Sequence, residues 1–325
     1  MRVVAYSIKS FEKELLAKAN QKKHDITLIS NPLSLQTVLY AEGKDAVVVF
    51  TNDDLSAPVI NKLADMGIKY IATRSVGTDH IDLVQAEKRN IKIANIPAYS
   101  PEAVAEFAVT LALALSRKLI PTVDHSRQLD FSMNQTPGFN FHGKTVGIIG
   151  SGNTGLATAS IFKGFGCKIL SYDSSPLTKA AQSKSVGLDR LLNESDIISL
   201  HIPLTADTHY LIDESAIAKM KKGVMLINTS RGGLINTEDA LKALNSGKIG
   251  YLGLDVYEHE KDLFADHHPD KINDPLLEQL VNHPNVIFTP HQSYLTVEAL
   301  HEIAMQTIYN LDEWQKNSST DKAYA

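Results

Sequence analysis

The chain has 325 residues, enough for two domains that each bury a full core. Apolar residues make up 43% and charged residues 21%, the balance of a soluble globular protein, and the longest apolar run, 109–115, is far too short to span a membrane. A net charge of −5 offers no electrostatic attraction to nucleic acid or to an anionic membrane, so neither is expected as a partner.

From the N-terminus, Arg2–Ser7, Asp25–Ser30, Ala46–Phe50, Tyr70–Thr73 and Ile91–Ala94 are short β-rich runs. Helical patterns over Phe11–Asn20, Ser56–Asp65 and Ile81–Arg89 separate them. Strict alternation of strand and helix calls for a parallel sheet with helices on both faces. Met1 to Tyr6 reads as a first strand rather than a charged leader, so a cytoplasmic protein is expected. Pro101 opens a long helix, Glu102 to about Leu119, because proline at the first helical turn forfeits no hydrogen bond. A less regular stretch with Asn134, Pro137, Gly138 and Gly143 follows.

A second series begins at Lys144. Its strands are Val146–Ile149, Lys168–Tyr172, Ile197–Leu200, Val224–Asn228, Tyr251–Leu254 and Val286–Thr289; its helices include Leu156–Phe165, Glu214–Met220 and Glu238–Asn245. A final helix runs from Val297 to about Lys316, and the polar tail Asn317–Ala325 is expected to fray. The only cysteine, Cys167, opens a buried strand and reads as an inert small hydrophobe.

The first strand of this second series runs into Gly150-Ser151-Gly152-Asn153-Thr154-Gly155, and the next strand ends in Asp173. Strand, G-x-G-x-x-G, helix start and a later acid together form a dinucleotide-binding fingerprint. Gly150 permits the tight turn, Gly152 lets the backbone approach a pyrophosphate, and Gly155 lets helix and strand pack closely. The pyrophosphate would sit on unpaired N–H groups at the helix N-terminus, and Asp173 would accept from the ribose hydroxyls. Ser174 and Ser175 stand where an arginine would be wanted for a 2′-phosphate, which favours NAD over NADP. Two doubly wound sheets would make a cleft, with ligands beyond the carboxyl ends of the strands.

Three strand ends in the second half carry ionisable groups. Val224–Asn228 leads to Thr229, Ser230 and Arg231; Tyr251–Leu254 leads to Asp255 and, five positions later, Glu260; Val286–Thr289 leads through Pro290 to His291. Reduction of a 2-oxo acid needs a fork for the anion, a proton donor for the nascent alkoxide and a group to hold that donor. Arginine suits the first through its planar, always charged guanidinium. Histidine suits the second because it titrates near neutrality, and a carboxylate suits the third. Each residue has a plainer reading, as a solvated loop cation, a cap neighbour or part of the charged run Glu258–Asp262. Their placement after three strands downstream of the fingerprint argues for the chemical one.

With these residues in view, the chain resembles the D-isomer-specific 2-hydroxyacid dehydrogenase family, and its lactate-forming branch most of all. The similarity runs over nearly the whole chain: Arg74-Ser75-Val76-Gly77 with Asp79, Ile96 through Glu106, Gly143 through Gly147, His201 through Thr205, Asn228 through Gly233, Leu254 through Glu258 and Thr289 through Thr296. The resemblance implies reversible hydride transfer between NADH and pyruvate, giving D-lactate. It implies that Arg231 orients the substrate, that His291 is the acid–base and that Glu260 pairs with it. Asp255 would lie near the nicotinamide carboxamide, Asn153 and Thr154 at the pyrophosphate, and Ile202 and Pro203 beside the adenosine. Thr208, Thr229 and Ser230 would complete the cofactor cleft, and the Val76 and Gly77 amides would cap the substrate carboxylate. Tyr99 and Tyr294 are aromatic candidates for closing the site to larger substrates.

The family also implies an α/β architecture of two doubly wound parallel-sheet domains. A Rossmann NAD-binding domain, residues 99–291, would be inserted in a flavodoxin-like substrate domain, residues 1–98 plus 292–325. Homodimers or homotetramers would form through the helix after Pro101. Asp262–Asp270 carries His267 and His268 but lacks helical i, i+4 spacing, so it reads as a surface loop and no metal is expected. The alternatives are a dehydrogenase for a bulkier acid, such as hydroxyisocaproate or phosphoglycerate, and an NAD-sensing corepressor-like scaffold. The intact Arg231, Glu260 and His291 set favours an enzyme.

Overall fold

The computed structural model describes residues 1–132, 137–174, 185–260 and 273–323. Its contacts divide it into two units, Met1–Ser100 with Leu295–Ala325, and Pro101–Tyr294.

In the first unit the β-branched runs become β1 (Arg2–Ala5), β2 (Asp25–Leu28), β3 (Ala46–Val49), β4 (Tyr70–Thr73) and β5 (Lys92–Ala94), with helices α1 (Glu12–Asn20), α2 (Ala57–Asp65) and α3 (Leu83–Lys88) between them. They form a five-stranded sheet in the order β2-β1-β3-β4-β5, with every pairing parallel. That is the flavodoxin-like doubly wound order. Successive side chains alternate faces, so Val4 and Tyr6 enter one core with Val47, Val49, Ile60 and Leu63. Val3, Ala5 and Val48 enter the other with Ala304, Ile308 and Leu311 of the last helix, Val297–Ala323. The end of the chain thereby covers the sheet that its beginning starts.

The second unit holds β6 (Thr145–Ile149), β7 (Lys168–Tyr172), β8 (Ile197–Leu200), β9 (Val224–Asn228), β10 (Ile249–Leu254) and β11 (Val286–Phe288). These make a six-stranded parallel sheet in the order β11-β10-β9-β8-β6-β7, and Ser185 adds a parallel bridge to Ser171 on the outer side of β7. Helix α4 (Pro101–Ser116) packs Ala108, Leu111, Ala112 and Leu115 on one face against Val146, Ile148 and Ile227. Ile149, Ile198, Leu200 and Leu226 enter the core on the opposite face. Strand order reverses between β6 and β8, and both carry the site described below.

The structure corrects several expected elements. The helix after Pro101 ends at Ser116 and a separate helix, α5 (Leu119–Arg127), follows. Lys118 takes a left-handed φ of 49° at the break, and α5 buries none of its side chains, unlike α4. Two further short helices, Leu188–Glu194 and Pro275–Val281, lie between strands of the second unit. The last helix extends past Lys316 to Ala323, through a segment with no glycine or proline to stop it. Cys167 is buried with its thiol donating to the Phe141 carbonyl, 3.3 Å away, and burial raises its pKa. Asn134, Ser175 and the 262–270 segment lie outside the described residues. Among the described residues no helix is long and apolar enough to cross a membrane, and no cluster of His, Cys, Asp and Glu could hold a metal.

Candidate active site

The turn from β6 into α6 (Asn153–Gly164) has the tightness its glycines suggest. Gly150 has φ of +107°, and a β-carbon there would lie 2.2 Å from the His201 carbonyl oxygen; one on Gly155 would lie 1.9 Å from the Gly150 oxygen. Gly152 is different. It caps α6 without a side-chain hydrogen bond, and nothing lies within 4 Å of where its β-carbon would be. A helix start with no side-chain cap and an open approach to its backbone suits a pyrophosphate. Asp173, at the end of β7, accepts at Oδ2 from the Ser151 N–H (2.6 Å) and hydroxyl (2.7 Å), which ties the acid to the glycine loop. These residues fit NAD. Ser174 beside them is exposed and uncharged.

On the neighbouring strands the predicted residues take these places. Ile202 and Pro203 follow β8, and the Thr208 hydroxyl donates to the Pro203 carbonyl (2.8 Å), closing that turn. His201 lies within 2.8 Å of the Ser199 hydroxyl through Nε2, while its enclosed Nδ1 has no partner among the described residues. Burial pushes its pKa down to about 4, so the ring is neutral near neutral pH. The Thr229 hydroxyl, on the tip of the adjoining β9, is likewise enclosed and unpartnered.

Arg231 leaves β9 through a turn built by a buried side chain. Asn228 donates from Nδ2 to the Arg231 carbonyl (2.8 Å) and accepts at Oδ1 from the Ser230 N–H (3.0 Å). The Ser230 hydroxyl donates to the Leu200 carbonyl (2.7 Å), and Arg231 Nη1 donates to the Ser230 carbonyl (2.9 Å). Gly232 then meets the Tyr257–Glu258 peptide at a distance no β-carbon would allow. The strand tips of β9 and β10 are thus locked backbone to backbone.

His291 and Glu260 come together. Nδ1 of the ring lies 3.1 Å from Glu260 Oε1, and each side chain is 18% exposed. A carboxylate on Nδ1 leaves Nε2 as the nitrogen for proton exchange. His291 takes a left-handed φ of 52°, a conformation that costs about 1–3 kcal/mol unless its surroundings enforce it. Asp255 enforces it. Its carbonyl accepts from the His291 N–H (2.8 Å), and its fully buried carboxylate accepts from the N–H groups of Gln292 (2.8 Å) and Ser293 (2.7 Å) and from the Thr289 hydroxyl (2.6 Å). Asp255 in this structure therefore holds the histidine turn. Sequence reasoning missed this part, and Asn228, because their partners are fixed only by folding.

Glu258 is not idle charge: it accepts from the Tyr210 hydroxyl (2.6 Å) and the Thr237 N–H (3.0 Å), and that bond raises the Tyr210 pKa to about 12. Tyr294 is half-buried just past the histidine turn. Val76, Gly77 and Tyr99 belong to the first unit: Val76 is exposed, and the other two are half-buried.

Comparison with known proteins gives a consistent picture. The family described as D-isomer-specific 2-hydroxyacid dehydrogenase, NAD-binding domain, matches residues 109–293. The chain is similar to the D-lactate dehydrogenase kk1H of Curvularia clavata, with 46% identity over 331 residues, 99% of this chain and 95% of the relative. It is similar in structure to the pyruvate reductase of Chlamydomonas reinhardtii, with a TM-score of 0.88, 42% identity, and 97% of this chain and 96% of that one covered. A D-lactate dehydrogenase from Aquifex aeolicus, solved with NAD and lactic acid, superimposes with a TM-score of 0.87 at 33% identity, covering 97% of this chain and 96% of that one.

Proposed function

The chain belongs to the D-isomer-specific 2-hydroxyacid dehydrogenase family, whose members use NAD, and we propose that it interconverts pyruvate and D-lactate. The observation that carries the chemistry is the His291–Glu260 pair, 3.1 Å apart in the same unit as the glycine loop. The names of the similar proteins support lactate as the product.

Gly150, Gly152, Asn153, Thr154 and Gly155 hold the pyrophosphate and Asp173 the ribose, while Ile202, Pro203, Thr208, Thr229, Ser230 and Asp255 line the rest of the cofactor site. NAD, when bound, supplies the hydride donor or acceptor at its nicotinamide. Arg231 grips the substrate carboxylate with its guanidinium fork. His291 gives the Nε2 proton to the carbonyl oxygen during reduction, and Glu260, on Nδ1, keeps the ring aimed. In oxidation, neutral His291 takes the hydroxyl proton back at the same nitrogen. The Val76 and Gly77 amides bind the substrate carboxylate, and Tyr99 and Tyr294 limit the space for its side chain.

We assign residues 1–98 with 292–325 to the substrate domain and 99–291 to the cofactor domain. A cytoplasmic, fermentative homodimer or homotetramer is the form we propose. The exposed Leu119 and Ile120 on α5, a helix with no buried side chain, support an interface between copies there.

The test is NADH consumption with pyruvate and with bulkier 2-oxo acids, followed by chiral separation of the product. D-lactate with pyruvate as the preferred substrate is expected. Preference for a branched 2-oxo acid would move the assignment to a bulkier hydroxy acid, and no consumption with any of them would refute a dehydrogenase.

A further inference from the structure

Three successive peptides after β4 have their carbonyls pinned. The Ser75 carbonyl accepts from the Ile96 N–H (3.0 Å), the Val76 carbonyl from Asn95 Nδ2 (2.7 Å) and the Gly77 carbonyl from the Ser75 hydroxyl (2.7 Å). All peptide bonds in the described chain are trans, so each N–H points opposite to the carbonyl of its own peptide. The N–H groups of Val76, Gly77 and Thr78 are therefore turned away from the groups that hold the loop. Amides so turned are available to an anion.

The pinning is directional. The Ser75 hydroxyl has one proton, which goes to Gly77, so at 2.7 Å from the Thr73 hydroxyl it must accept. The Thr73 hydroxyl then donates to Ser75 and accepts from His80 Nε2, 3.3 Å away. His80, Thr73 and Ser75 are all buried, at 7%, 1% and 5% exposure, so this relay is shielded from water. Asn95 is held in turn, its carbonyl accepting from Asn310 Nδ2 (3.1 Å) on the last helix.

We propose that Asn95 and the buried His80–Thr73–Ser75 relay are positioning residues that aim the amides of Val76, Gly77 and Thr78 at the substrate carboxylate. This rests on the function proposed above. It assigns the grip on the anion to side chains that never touch it, and it adds Thr78 as a third donor. Because the carboxylate is common to all 2-oxo acids, the relay governs affinity without regard to the substrate side chain.

The test compares Asn95→Ala, Ser75→Ala and Ser75→Thr in the full-length protein. Oxamate is titrated into each protein saturated with NADH, NADH alone is titrated into each, and KM and kcat are measured for three 2-oxo acids of different size. The two alanine variants should bind oxamate roughly tenfold more weakly or worse, because the amides that face the carboxylate lose their aim. Their KM should rise by the same factor for all three acids, with kcat reduced less and NADH affinity kept. Ser75→Thr, which retains the hydroxyl, should recover most of the oxamate affinity. Unchanged oxamate binding would overturn the proposal, as would parallel loss of NADH and oxamate affinity or no recovery in Ser75→Thr. A wild-type protein that neither binds oxamate nor reduces a 2-oxo acid would overturn the functional reading, and this inference with it.

Discussion

Gly232 packs so closely on Tyr257 that a β-carbon on the glycine would lie 2.0 Å from the tyrosine carbonyl carbon. The contact joins the turn that carries Arg231 to the loop that carries Glu260, and through Glu260 to His291. The Arg231 turn and the Glu260 loop are thereby set by backbone, and a side-chain pair carries the link on to His291.

Replacing Gly232 with alanine should therefore separate the β9 and β10 tips. A misplacement of about 1 Å in a reacting group can cost about 10² in rate, and a fall of that order in kcat/KM is expected. NADH affinity should fall less than kcat/KM, since the contact leaves the Gly150–Gly155 loop and Asp173 in place. Steady-state kinetics paired with an NADH titration would decide, and a variant with wild-type kcat/KM would show that the contact does not set the geometry.

Much of this arrangement is readable in the sequence because strands and glycine loops are local. The runs Lys168–Tyr172, Ile197–Leu200 and Val224–Asn228 form strands with the bounds their β-branched residues suggest. The break at Lys118 was not readable, since an apolar pattern continues through it while the backbone turns left-handed. Nor was the work of Asp255. Its carboxylate bonds to Ser293, 38 positions away, and no periodicity relates two residues so far apart in the chain. Residue types at strand tips point to chemistry, whereas the groups that hold them there become visible only once the sheet has formed.

Asp173 should decide between the two nicotinamide cofactors. Its carboxylate, fixed by Ser151, would repel a 2′-phosphate, and like charges brought together cost several kcal/mol. Asp173→Ala should shift the ratio of kcat/KM for NADPH over NADH upward by about tenfold or more. A variant that still rejects NADPH to the wild-type degree would place the discrimination elsewhere.

His201 predicts an acid limit to stability. Its folded-state pKa, about 4, lies below the ordinary 6.5, so the unfolded chain binds the extra proton first as pH falls. The stabilisation is whole above about pH 6.5, shrinks as pH falls toward 4 and is gone below. At about 1.4 kcal/mol per pH unit, the group accounts for about 3 kcal/mol across that window. Urea unfolding at pH 7 and pH 4.5 should show a smaller loss in His201→Gln than in the wild type. Equal losses in both would rule out His201 as the source.

The proposed mechanism depends on proton transfer at His291. The most direct measurement is pyruvate reduction by His291→Gln against the wild type, with NADH binding titrated in both. Removal of a positioned acid–base costs about 10²–10⁴ in rate, so kcat should fall within that range while NADH binds as before. A variant that reduces pyruvate at the wild-type rate would contradict the mechanism.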